Sequence, residues 1–197
     1  MADAPPDRRD SFLLTYYGVL WDNINRHVSG VWQTVTTLGV SVALLGLVGN
    51  GFLSMAAAAT LVIGVAAWYA ATVYDSALWF ARNQAIATNV ERAFLDDPED
   101  RKIIQPYYVA HRKDLLISHF QIPLWLSRGL AFVGVLLYAD SADKPDGLLY
   151  WLPYAAVVTY VVVEVMSRIA AKSSYAKLLK AAPGASVAQV TKAANSS

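Results

Sequence analysis

Residues 28–74 read VSGVWQTVTTLGVSVALLGLVGNGFLSMAAAATLVIGVAAWYAATVY, 47 consecutive positions without a charged side chain. A helix needs about 20 apolar residues to cross a hydrocarbon core of ~30 Å, so the stretch holds two crossings and a turn between them. The turn is Gly49-Asn50-Gly51, three residues that tolerate positive φ. It predicts a first span over residues 31–48 and a second over residues 52–74. A secretory signal peptide does not fit the first span. About 30 residues precede it with an amphipathic pattern of their own, and no A-x-A site follows.

Composition agrees. The chain has 197 residues, 56% apolar and 16% charged, against about 45–50% and about 25% in ordinary soluble domains. It contains no cysteine, which excludes a disulfide scaffold, thiolate metal sites, iron–sulfur clusters and a cysteine nucleophile.

A second apolar pair follows. Residues 122–139 are interrupted by Ser127 and Arg128, and residues 148–166 by Thr159 and Glu164. The linker at 140–147 is rich in turn formers. The expected fold is therefore an all-α membrane protein, with four transmembrane helices as two hairpins (31–74 and 122–166), an amphipathic N-terminal helix and cytoplasmic helical extensions.

Lysine and arginine set the orientation. Three precede the first span, six lie at 75–120 and five follow residue 166, whereas the two hairpin loops share only Lys144. This positive-inside bias puts both termini and the middle segment in the cytoplasm, at the inner membrane. Trp32, Trp68, Trp79, Trp125 and Trp151 cluster near span ends with several tyrosines, as interfacial anchors do.

Outside the spans, residues 1–10 are polar and expected to be disordered. Phe12, Leu13, Tyr16, Tyr17, Leu20, Ile24 and Val28 repeat with a helical period over 11–29, which predicts a helix lying on the membrane or against other cytoplasmic helices. No breaker follows Tyr74, so the second span should continue to about Leu95 as one helix of about 40 residues. Within the cytoplasmic segment 75–120, Asp97 and Pro98 suit a new helix start, with Asp96, Glu99 and Asp100 read as capping acids. That helix should bend at Pro106 and end near His119 and Phe120, before Pro123 opens the third span. Residues 167–197 read as a basic helix stopped by Ala182-Pro183-Gly184, then a tail.

Three constellations stand out. Arg128 and Glu164 are the charges inside the predicted spans, and antiparallel neighbours would put them at similar depth. They could form an ion pair, snorkel separately to the surface, or line a polar path. Arg26, Asp75, Arg82 and Arg92 gather where the first hairpin leaves the membrane, as a charge cluster locking helices or as an anion site. Ala56, Thr60 and Gly64 make a small-residue stripe on the second span, with a shorter one at Gly39 and Ala43, suited to close packing within the chain or between copies. His27, His111 and His119 lack chelating spacing. No catalytic motif, metal site, cofactor site or nucleic-acid-binding pattern is evident, so no enzyme activity is expected.

The order of amphipathic helix, tight two-span hairpin and long cytoplasmic helix over residues 11–95 resembles the SLATT-type small bacterial membrane proteins. Those are associated with nucleotide-signalled phage defence and are thought to act as membrane-disrupting or pore-forming effectors. The resemblance is one of layout, carries over no functional residue, and does not extend to the second hairpin. It implies an oligomeric channel-like effector. The alternative is a non-conducting scaffold recruiting a soluble cytoplasmic partner. Lipid is the partner common to both.

Overall fold

A computed structural model describes residues 8–33, 35–94, 118–142 and 145–181. Among these it contains five helices: α1 (Arg8–Gln33), α2 (Thr36–Gly49), α3 (Met55–Phe94), α4 (Ser118–Asp140) and α5 (Leu148–Ala181). Four helical stretches are long and apolar enough to cross a membrane: Asp10–Gly49, which covers α1 and α2, Met55–Ala87, His119–Asp140 and Leu148–Lys177. The expected features at 95–117, including the Asp97 cap, the Pro106 bend and His111, lie outside the described residues, as does the tail from 182.

The turn between α2 and α3 is built as its residues allow. Phe52 N–H donates to Leu47 O and Gly51 N–H to Val48 O, each at 3.0 Å. Gly51 takes φ +73°. This is the Schellman arrangement, in which a left-handed glycine lets the chain satisfy the last helical carbonyls. Asn50 keeps a negative φ of −92°, and its side-chain amide donates to Gly46 O at 3.0 Å. Ser54 then caps α3, accepting from Ala57 N–H at 3.3 Å. These steps consume residues 52–54, so α3 begins at Met55 rather than at Phe52.

α3 runs 40 residues without interruption, about 60 Å at 1.5 Å per residue. It is the hub. Every other helix packs on it, and α4 and α5 contact α3 far more extensively than they contact each other. The second apolar pair is thus not a self-contained packing unit. Alanine explains the hub role: Ala58, Ala59, Ala66, Ala67, Ala70, Ala77, Ala81, Ala85 and Ala87 are buried on α3. Small side chains let several helices approach one axis, and alanine is the best helix former. The main core joins Ile63, Val73, Tyr74 and Phe80 of α3 to Ile24 and Val31 of α1, Phe120 and Leu124 of α4, and Tyr160 and Ala171 of α5.

Direction follows from these contacts. Met55 at the start of α3, Tyr138 near the end of α4 and Tyr150 near the start of α5 share one cluster. Phe80 meets Phe120 edge-on at the other side, with ring centroids 5.4 Å apart. α4 therefore runs antiparallel to α3, and α5 parallel to it.

Several boundaries differ from the sequence reading. α1 starts at Arg8, inside the stretch expected to be disordered, and continues through Gly30 to Gln33. Of its two expected placements, on the membrane or against other helices, the contacts are those of the second. Leu20 packs with Ala87 and Val90, and the Tyr17 hydroxyl donates to Glu91 Oε1 at 2.8 Å. α1 therefore stands antiparallel on the far half of α3. α4 starts at Ser118 with Pro123 inside it. The bond that Pro123 cannot make falls at His119, whose exposed position lets water meet the carbonyl. Likewise, α5 carries Pro153 in its second turn and extends to Ala181.

The outer surface of α2 is apolar. The buried residues of α2 are Thr37 and Ser41, whereas Val40, Val42 and Leu47 on the same helix are exposed. Such polarity reversal costs free energy in water and none in lipid.

Candidate functional site

The polar groups inside the bundle meet where α3, α4 and α5 come together. Ser127 is fully buried. Its hydroxyl lies 2.8 Å from Ala66 O on α3, which it reaches as donor, and 3.3 Å from the Tyr160 hydroxyl on α5. One residue along α4, Arg128 donates from Nε to Glu164 Oε1 of α5 at 3.0 Å. Its Nη2 donates to the same oxygen. The guanidinium also lies 5.1 Å from the Trp125 ring centre, and Tyr74 and Tyr160 are within electrostatic reach. Tyr160 sits one turn before Glu164 and neighbours its carboxylate.

Of the readings open to these two charges, the geometry is that of an ion pair. Ser127 sits at the level of Ala66, eight residues inside Tyr74, while the Arg128 side chain extends toward Tyr74 and keeps 37% of its surface exposed. A helical side chain leans toward its own helix N-terminus, which on α4 is the direction of Tyr74. Arg128 thus turns toward Tyr74 and meets Glu164 there.

The second constellation is arranged differently from the expected charge lock. Among the described residues no ion pair joins Arg26, Asp75 and Arg82. Arg26 donates from Nη2 to Asn23 Oδ1 of its own helix at 2.9 Å. Arg82 lies over the ring of Trp79, with Cζ 4.9 Å from its centre. Contact between α1 and α3 here is made by rings: His27 stacks on Trp79 at 6.1 Å with planes 6° apart. Asp75 is near enough to act electrostatically on His27. The Arg92 side chain lies outside what the structure describes.

The small-residue stripe splits. Ala56 is buried against Tyr138, and Thr60 turns its hydroxyl back to Ala56 O at 2.7 Å. Gly64 faces outward, and a Cβ there would meet nothing within 4 Å. Gly39 and Ala43 are likewise exposed. The close approach is at Gly134 instead, where a Cβ would stand 3.2 Å from Ile63 Cγ1 and 3.5 Å from Val62 Cγ1. Gly134 was not singled out in the sequence, where it stands alone among large residues. The Tyr17–Glu91 bond was also missed, because 74 positions separate its partners. Among the described residues no group of His, Asp and Glu is placed to hold a metal ion.

Compared with known proteins, the chain matches no family model, no curated protein and no solved structure. Its function has to be argued from this geometry.

Proposed function

We propose that the chain is a four-span inner-membrane protein with both termini cytoplasmic, acting as a non-conducting scaffold that recruits a soluble partner. The observation that carries this reading is the closed polar interior. Ser127, Tyr160, Arg128 and Glu164 are spent on one another and on Ala66 O, which ties three helices together instead of lining a path. The lysine and arginine distribution supports the orientation. The platform assigned to the partner is the far end of α3. Glu91 lies 17 residues beyond Tyr74, about 25 Å along the helix. There α1 exposes Phe12, Tyr16 and Val19 along one face, with Phe12 stacked on Tyr16 at 5.9 Å. An apolar patch that far from hydrocarbon marks a protein contact.

One observation favours the oligomeric, channel-like or membrane-perturbing effector, to which the SLATT-like layout of residues 11–95 also points. Gly64 is open to the outside, where a second copy could pack closely. The two readings separate by particle mass in nanodiscs and membrane potential in expressing cells, wild type against Gly64→Leu. A scaffold gives one mass and an undisturbed potential for both proteins. Wild-type assembly with depolarisation, both lost in Gly64→Leu, would overturn the scaffold in favour of the effector.

A further inference from the structure

We propose that the cavity at the start of α5 binds a quaternary ammonium group, held by the rings of Tyr150 and Trp151 and the carboxylate of Asp146. The cavity is open and measures about 520 Å³, lined by Pro145, Asp146, Gly147, Leu148, Tyr150 and Trp151. Sites for small molecules span about 300–1,000 Å³. It lies at the end of the molecule where Met55, Tyr138 and Tyr150 meet, opposite the platform on α1, and so goes beyond the proposed function. Only the lipid arm of its test rests on the membrane placement.

The walls are fixed by the fold. Gly147 takes φ +69°, a left-handed turn that brings Asp146 and the first turn of α5 to the same space. The rings of Tyr150 and Trp151 stand at 88° to each other with centres 5.2 Å apart, forming a corner. Other aromatic residues hold that corner in place. Tyr138 of α4 is buried and donates its hydroxyl to Tyr150 O at 2.9 Å. Tyr154 packs against both Tyr138 and Tyr150, with ring centres 5.8 Å away in each case.

The chemistry of the lining selects the ligand. Aromatic faces attract a cation through their quadrupole, and Asp146 adds a full negative charge. α5 turns the positive end of its dipole, about half a charge, toward the same space. The loop outweighs it, since Asp140, Asp143 and Asp146 stand against Lys144 alone. A primary ammonium has three N–H donors to satisfy, whereas the lining side chains offer one carboxylate and one phenol. A quaternary ammonium donates no hydrogen bond and can rest its methyl groups on the rings.

The ammonium group belongs either to the headgroup of phosphatidylcholine or to a free organic cation, and the test has an arm for each. Native mass spectrometry reads the lipid that the full chain carries out of nanodiscs mixing phosphatidylcholine with phosphatidylglycerol. In nanodiscs of phosphatidylglycerol alone, the melting temperature is followed against tetramethylammonium chloride, with sodium chloride at equal concentration as the reference. Wild type should retain phosphatidylcholine, or show a saturable rise in melting temperature beyond the sodium reference. Asp146→Asn and Trp151→Leu, measured separately, should each lose whichever response is seen. Trp32→Leu, which changes an exposed tryptophan on α1, should keep it. Retention, with or without the rise, assigns the site to the lipid headgroup, and the rise without retention assigns it to a free cation. No response in wild type, equal responses in wild type and Asp146→Asn, or loss in Trp32→Leu would overturn the site. Should Trp151→Leu fail to fold, Asp146→Asn decides, since it lies before the helix and keeps the side-chain shape. Failure of the membrane reading looks different: the chain would then stay in the soluble fraction, where the tetramethylammonium titration is run without nanodiscs.

Discussion

Arg128 and Glu164 show how a charge is kept in an apolar helix. Each has a bonded partner, and the arginine side chain stays partly exposed. Removing either partner strands the other. Because the guanidinium is more than a third exposed, the penalty is well below that of a dry pair. Arg128→Gln or Glu164→Gln should each lower stability in detergent, and the double variant should recover part of the loss. The coupling expected is about 1 kcal/mol, the range of polar contacts between membrane helices. Additive losses in thermal or denaturant unfolding would mean that the two side chains do not act together. Neither residue was hard to find, since a lone charge in an apolar run announces itself. Their pairing was one of the readings the sequence allowed; which reading holds depends on the rotation of α4 and α5 about axes that α3 sets.

Among the elements, α3 decides the packing. Its alanines admit α4 closely enough that Gly134 has no room for a larger side chain, whereas Gly64 on the outer face has open space. Gly134→Leu should push α4 off α3 and cost about 1–3 kcal/mol, as overpacking does. Gly64→Leu should leave the melting temperature of the single chain unchanged, so any effect it has must come through contacts between copies. Comparing both variants in one unfolding experiment checks the assignment of inner and outer faces. The seat of α1 is also testable. Tyr17→Phe removes the bond to Glu91 Oε1, whose other oxygen is already buried without a partner. The loss should be about 1 kcal/mol and should be read as faster proteolysis within α1. Unchanged cleavage there would detach α1 from α3.

On the scale of the whole molecule, the turn at 50–54 and the loop after Asp140 lie at one end, since Met55, Tyr138 and Tyr150 meet there. The far half of α3 carries α1 at the other. A reporter active only outside the cytoplasm should therefore work when fused after Ser141 and stay silent after Ser197. The reverse pattern would invert the molecule.

What the sequence determined alone is what hydropathy and local chemistry can carry. The charge-free run from Val28 to Tyr74, the glycine turn that divides it and the unbroken continuation into a 40-residue helix all depend on neighbours in the chain. Distant partners had no such signal. That α1 stands upright on α3, that α4 and α5 pack on α3 rather than on each other, and that Gly134 and not Gly64 is the tight contact were decided by the tertiary structure. In lipid, helices gain little from hiding apolar surface from one another, so their pairing is chosen by shape and by a few polar bonds. Those depend on which faces meet, and rotation about a uniformly apolar helix leaves no periodic mark in its sequence.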